Sequence, residues 1–369
     1  MKTISITLRL LAVAWLVDSA ALAAQDRTDE GFRFAQPGYR FEFPRDHGSH
    51  PDYKLEWWYI TGHLEEAGGG RSFGFQATFF RYATGTASRP AEIHLAHMAL
   101  SEPDKKRFLH EERLNRRGWD AGAQVGDLSV TNGNWSLRRT GTGEKLELTG
   151  SILGEALLRL ELEPAKPLVR FGDDGYSRKG ADRTAASLYL TYPRLRAAGR
   201  LQVGSEMLRM VGQAWMDHEI SSSQLAGEQV GWDWASLQLN DGRELMIYVL
   251  RRDDGSVDPH SRLTWIDRGG KLTAYRPDQF VWAALRRWTS PETGARYPVS
   301  SRVTTTDPMT GQRVTFELRP RMDAQEMLGK VGGVNYWEGA CEIRNEHQGV
   351  IGKAFVELTG YDRQLEAVK

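Results

Sequence analysis

Alternation of apolar and polar side chains with a period of two recurs from Tyr53 onward, and it constrains this chain more than any other feature. Leu158, Leu160 and Leu162 stand against Arg159, Glu161 and Glu163, and Val314, Phe316 and Leu318 against Thr315, Glu317 and Arg319. Neighbouring side chains of a strand point to opposite faces, so these segments read as half-buried strands. Between them lie EEAGGGR, TNGN, TGTGE, NDGRE, RDDGS, DRGGK and DPMTGQ, which carry the turn-forming residues that antiparallel hairpins require. The best helical stretch is short, Met322 to Lys330, and is expected to cap an open barrel end. Many strands, frequent hairpins and little helix imply an all-β sandwich or closed barrel. The 12 Trp, 12 Tyr, 13 Phe and 38 Gly suit large apolar contacts joined by tight turns.

The alternation repeats itself at a larger scale. LEWWYITGHLEEAGGGRSFGFQATFFR and VGWDWASLQLNDGRELMIYVLR share a W-x-[WY] opening, a glycine-bearing acidic turn and a second apolar strand ending in Arg. Trp57 corresponds to Trp232 and Tyr59 to Trp234, an offset of about 175 residues, the size of one small barrel. Two related domains in tandem are expected, at 32–220 and 230–362, with the polar stretch SSSQLAGEQ (221–229) as linker. A mature chain of about 345 residues also exceeds what one core usually organises.

The N-terminus reads as a leader. Lys2 and Arg9 precede the apolar run LLAVAWLV, and AALAA follows it, so residues 1–24 are expected to be a signal peptide cleaved after Ala23 or Ala24. The run is shorter than the roughly 20 residues a membrane span needs, and no later stretch is long enough, so a soluble mature chain exported to the periplasm or secreted is expected. Cys341 is the only cysteine, which leaves stability to packing. Lys plus Arg and Asp plus Glu balance at 48 each, which argues against nucleic acid or an anionic membrane as partner.

Alternation sets Leu55, Trp57, Tyr59, Thr61 and His63 on one face of the first repeat strand, and Glu56, Trp58, Ile60 and Leu64 on the other. A strand apolar on both sides suits either a contact between two domains or the wall of a dry barrel lumen. The next strand adds Phe73, Phe75 and Phe79 on one side and Thr78 and Phe80 on the other. A cavity lined by Trp57, Tyr59, Phe75, Trp215, Trp232 and Trp234 would hold a large hydrophobic molecule, because burying apolar surface contributes about 25 cal/mol per Å². The alternative fate of each ring is a packed core.

The stretch VGQAWMDHEISSSQ is the best candidate for chemistry. As a strand it places Trp215, Asp217 and Glu219 on one face and Met216, His218 and Ile220 on the other. His218 can serve as acid or base near neutrality, or as a satisfied core histidine. Asp217 and Glu219 suit the domain joint, where they would bind Arg or cap backbone amides. His94 and His97, and His47 and His50, lack a zinc pattern, and no metal is expected. Nucleotide loops, zincin, serine-hydrolase and thiol motifs are absent from the sequence.

Taken together, FPRDHGSHPDYKLEWWYITGHL, GQAWMDHE, GWDWASLQLNDGREL and WTSPETGARYP resemble the AttH-like, lipocalin-like exported proteins related to carotenoid 1,2-hydratase (hydroxyneurosporene synthase). The resemblance spans roughly Phe32 to Tyr361 and implies two calycin-type antiparallel β-barrels side by side. The hydratase branch adds water to a polyene double bond without a cofactor. Its acid–base pattern, H-x-W followed by Y-x-D, is matched here by His218 and Tyr248, whereas Ile220 and Leu250 stand where Trp and Asp would be. Asp217 or Asp233 would then have to replace the missing acid. The label "secreted hydrolase" given to such proteins names no mechanism. Three functions follow: a carrier of a lipid, polyene or isoprenoid that works with a membrane transporter complex; a hydro-lyase, isomerase or cyclase using His218; or a protein whose aromatic patch docks a partner.

Overall fold

The computed structural model describes residues 26–118, 120–223 and 225–363, so the expected leader lies outside the described residues. The alternating segments form two antiparallel sheets in chain order. The first contains β1 (Leu55–Glu66), β2 (Ser72–Thr86), β3 (Arg89–Glu102), β4 (Arg107–Arg116), β5 (Ala121–Ala123), β6 (Ser129–Asn132), β7 (Trp135–Arg139), β8 (Leu146–Ile152), β9 (Ala156–Pro164), β10 (Val169–Arg170), β11 (Tyr176–Arg178), β12 (Ala186–Val203) and β13 (Glu206–Ser221). The second contains β14 (Gln229–Leu239), β15 (Glu244–Arg252), β16 (Arg262–Ile266), β17 (Leu272–Tyr275), β18 (Val281–Thr289), β19 (Arg296–Thr306), β20 (Arg313–Pro320), β21 (Glu326–Met327), β22 (Tyr336–Arg344) and β23 (Val350–Thr359).

The two sheets share a connectivity. The first runs β4-β3-β2-β1-β13-β12-β9-β8-β7-β6-β5 and the second β17-β16-β15-β14-β23-β22-β20-β19-β18, so in each the opening strand pairs with both the second and the last. The W-x-[WY] repeat falls on the two equivalent opening strands, β1 and β14. Both sheets curl into nearly closed, barrel-like units, the first bringing β4 against β5 and β8. The fold is therefore all-β with two lipocalin-like barrels in tandem. Helix among the described residues is limited to three single 3₁₀ turns, none long and apolar enough to cross a membrane. The helix expected at Met322 to Lys330 does not form; Glu326–Met327 instead pairs with β22 as β21. Glu326 accepts hydrogen bonds from the Ser290, Thr293 and Tyr297 hydroxyls, which anchor the segment as extended chain.

Each barrel interior is packed with apolar side chains. Trp58, Ile60, Phe73, Phe75, Trp135 and Leu160 belong to the first core, and Leu237, Trp265, Tyr297, Phe316 and Trp337 to the second. The expected cavity is thus not in either lumen. Phe75 fills the first core, which corrects its place among the cavity-lining residues. The register explains why: Phe75 is opposite Gly62, on the Trp58 and Ile60 face of β1, whereas Trp57 and Tyr59 are opposite Phe80 and Thr78. Gly62 makes the fit possible, since a Cβ there would lie 2.5 Å from the Phe75 ring and from the Gln213 carbonyl oxygen.

The barrels meet through their outer walls. Tyr59 Oη donates to Glu338, His63 Nε2 bonds the Ala354 carbonyl at 2.9 Å, and Gln238 Nε2 donates to the Pro193 and Ala214 carbonyls at 2.8 and 2.9 Å. Lys166 and Arg194 reach Glu244 of the second barrel at 2.5 and 2.6 Å. Glu244 is fully buried, and such a carboxylate is tolerated only with its cations in place.

Candidate active site

The outward faces of β1, β2, β3, β12 and β13 and those of β14, β15, β22 and β23 enclose a cavity of about 450 Å³. Trp57, Tyr59, Phe80, Trp232, Trp234, Tyr248 and Leu250 supply its apolar wall. Trp234 stands edge-on to Tyr59, ring centroids 5.2 Å apart. Ser221, Ser223 and Leu225 of the expected linker also line it, so that connection is a cavity wall and not a solvated tether. Of the two options for the doubly apolar β1 strand, the contact between domains is the one realised.

Five carboxyl groups line the same space: Asp217, Glu219, Glu338, Glu357 and, taken up by Asn335 Nδ2 at 2.7 Å, Asp362. Asp217 accepts Tyr189 Oη at 2.8 Å, Thr191 Oγ1 at 2.5 Å and Trp215 Nε1 at 2.8 Å. Those donors favour the carboxylate, but burial outweighs them, and Asp217 is pushed up to about 7. Burial likewise raises Glu357 to about 7 against the hydrogen bond from Trp232 Nε1 at 2.9 Å, and the charges of Asp217 and Glu219 push the same way. Glu338 is held well above the usual carboxylate range, first by burial and then by Glu357, its register partner across β22 and β23. Glu219 accepts the Ser187 hydroxyl and faces Lys179 Nζ at 3.3 Å. That ammonium also sits 4.4 Å and 4.3 Å over the Tyr189 and Tyr248 rings, a double cation–π contact.

His218 is elsewhere. It lies on the opposite face of β13, stacked on Trp58 at 4.7 Å, with Nε2 bonded to Glu56 Oε1 at 2.9 Å. The expectation that His218 acts in the cavity is therefore corrected, and its half-pattern with Tyr248 is not assembled, because Tyr248 and Leu250 do face the cavity. The alternation of β13 dictates this split. Asp233 is corrected as well: it points away on β14 and is taken up by Tyr361 Oη at 2.9 Å and Arg251 Nε at 3.2 Å. Trp215 packs behind the wall and reaches the site through its bond to Asp217 and its edge-on contact with Trp234.

The His218 side of the strand explains the DHGSH motif. Glu56, fully buried, accepts His50 Nδ1 at 2.8 Å, His218 Nε2 at 2.9 Å and Arg81 Nε at 3.1 Å, while His50 Nε2 bonds Asp46 at 3.1 Å. The three donor atoms of His50, Glu56 and His218 lie within 4.8 Å of one another, close enough to hold a metal ion. Burial alone would lower His50, but the carboxylates on its two ring nitrogens raise it to about 9, so that its imidazolium bridges Glu56 and Asp46 as an ionic lock.

Sequence reasoning weighed His97 only as a metal ligand and passed over Tyr336, which lies beside it on the cavity wall. His97 Nδ1 bonds Tyr336 Oη at 2.7 Å, and His97 Nε2 bonds Glu112 at 3.2 Å. His97, Glu338 and Glu357 all project from barrel outer faces, where polar residues are expected to meet water; the packing of the two barrels against each other buries them.

Two barrel-like sheets with a polar-and-aromatic hollow at their joint define a two-barrel, lipocalin-like protein. The chain belongs to the AttH-like family, whose model matches residues 34–361. The crystal structure of an AttH protein from Nitrosomonas europaea is similar at 34% identity, TM-score 0.79, covering 88% of this chain and 98% of that one. Kievitone hydratase from Nectria haematococca has the same fold at 13% identity, TM-score 0.67, covering 92% and 98%. No curated protein sequence matches the chain significantly.

Proposed function

We propose that this chain binds a large apolar molecule at the joint of its barrels and transfers a proton to one of its double bonds, as a hydratase, isomerase or cyclase. The observation that carries this is Glu357: a carboxyl held near pH 7 within an aromatic-walled cavity, with Trp232 on Oε1. Such a group is protonated often enough at neutrality to act as a general acid. A carbocation formed beside it would be stabilised by the faces of Trp57, Trp232 and Trp234. A passive carrier has no use for several buried ionisable groups, each of which destabilises the fold when charged. The fold shared with kievitone hydratase supports the same chemistry, and the leader-like residues 1–24 support an exported setting.

A carrier remains the second reading, favoured by Leu250, which puts an apolar side chain where the hydratase pattern has an acid. To separate the two, farnesol, geranylgeraniol and squalene are incubated with the protein in ¹⁸O-water and analysed by mass spectrometry. The expected result is a product that has gained one labelled water, absent with Glu357→Gln, which still binds the probe. Binding with unchanged probe from pH 5 to 8 would overturn the enzyme reading and leave the carrier.

A further inference from the structure

If a carboxyl on one side of the cavity donates a proton to carbon, water adds only if a base receives its proton. We propose that Tyr336, backed by His97 and oriented by Glu112, is that base, a relay assembled from both barrels. The proposal rests on the proton-transfer reading above and assigns the other half of its chemistry.

The proton positions follow from the geometry. Glu112 accepts the backbone N–H of Val331 at 2.5 Å and of Gly332 at 2.9 Å, and His97 Nε2 at 3.2 Å. Burial would raise its pKa, but the bonds from His97, Val331 and Gly332 outweigh that and hold it below the usual range, so it is an acceptor only. In its neutral form His97 then carries its proton on Nε2, which leaves Nδ1 bare. At 2.7 Å from Nδ1, the Tyr336 hydroxyl can only donate to it, and the remaining lone pair of its oxygen is free for the cavity that both rings line. His97 is further held edge-on to Phe80, centroids 5.5 Å apart. Gly332 favours the approach, since a Cβ there would lie 2.7 Å from Glu112 Oε1 and displace that carboxylate.

The step balances. The carboxyl O–H of Glu357 adds its proton to one alkene carbon, and the π pair becomes the new C–H bond. A lone pair of water forms the C–O bond to the cationic carbon. Water's proton passes to Tyr336 Oη as the tyrosine proton passes to His97 Nδ1, leaving an imidazolium against Glu112. Return of that proton to Glu357 through solvent resets the site. Tyr336 would be the catalytic residue, and Glu112 a positioning residue that fixes the tautomer.

The test separates the two half-reactions, using geranylgeraniol in D₂O with the full chain and the variants Tyr336→Phe, His97→Gln and Glu112→Gln. Reversible protonation by the acid washes deuterium into the alkene without needing the relay, whereas hydration needs it. Hydration should fall by about 10²–10⁴-fold in Tyr336→Phe and His97→Gln, with deuterium uptake within about threefold of wild type. Wild-type hydration in those variants, or parallel loss of uptake and hydration, would overturn the relay. No uptake in any protein would sink the acid instead. In that event ¹⁵N NMR of histidine-labelled protein decides: a neutral His97 protonated on Nε2, with Nδ1 shifted by Tyr336→Phe, supports the relay, and a proton on Nδ1 overturns it.

Discussion

Glu338 and Glu357 are direct register partners on β22 and β23, two carboxyls side by side on the wall of one cavity. Like charges this close cannot both be ionised cheaply, so the pair titrates as a unit and retains a proton near neutrality. Tyr59 of the first barrel donates to Glu338 and Trp232 to Glu357; both bonds favour the charged form, and burial at the joint outweighs them and keeps the proton.

A folded-state value above the ordinary one means that stability is full below about pH 4.5 and is lost as pH rises through 7. Glu357→Gln removes that loss. In urea melts it should be more stable than wild type by about 1–3 kcal/mol at pH 8 and equal at pH 4.5. Equal stability at pH 8 would show that the fold does not hold Glu357 protonated.

The ionic lock behaves in a higher window. His50 is raised to about 9, so its contribution is complete below pH 6.5 and disappears between 6.5 and 9. Glu56→Gln removes the buried carboxylate that Arg81, His50 and His218 share, leaving only Glu92 to Arg81 and Asp46 to His50, and should cost about 3–5 kcal/mol at pH 6. Its stability should also vary less than that of wild type from pH 6.5 to 9; an unchanged slope there would remove His50 from the account.

Rings in the cavity and rings in the core should part company on mutation. Trp57→Ala and Trp232→Ala, both half-buried at the wall, are expected to weaken geranylgeraniol binding by about 10-fold or more in calorimetric titration, with little change in melting temperature. Phe75→Ala should lower stability by about 3–5 kcal/mol and leave affinity intact. The reverse pattern would place the ligand inside the first barrel.

Gly62→Ala tests the register that sorts those rings. Its Cβ would meet the Phe75 ring and Gln213 backbone at 2.5 Å, so a loss of about 1–3 kcal/mol in thermal or urea unfolding is expected. Phe75→Leu in the same chain should recover part of it, and no loss from Gly62→Ala alone would contradict the close approach.

The strands, their hairpins and the twin W-x-[WY] openings were legible because alternation and turn residues are local signals. The faces of Trp57, Tyr59, Asp217 and Glu219 followed from the same rule. What alternation could not say is which side of each strand becomes a lumen. Phe75 reads like Trp57 until the β1–β2 register is known, and His218 looks chemical until Glu56 is found against it. Glu357, in AFVELTG, has the pattern of an ordinary outward glutamate, and His97 that of a stray histidine. Their burial involves contacts between residues more than 100 positions apart, for which a single sequence has no periodicity.

The Ser221–Gln229 connection is at once the tie between the barrels and part of the wall around the occupant. A molecule lodged there is gripped like an object between calliper jaws. An occupant too thick for the gap must spread the jaws, pulling Tyr59 from Glu338 and His97 from Tyr336 together. Under the proposed function, selection by girth would be coupled to the groups that handle protons, so that an ill-fitting guest would disarm the site.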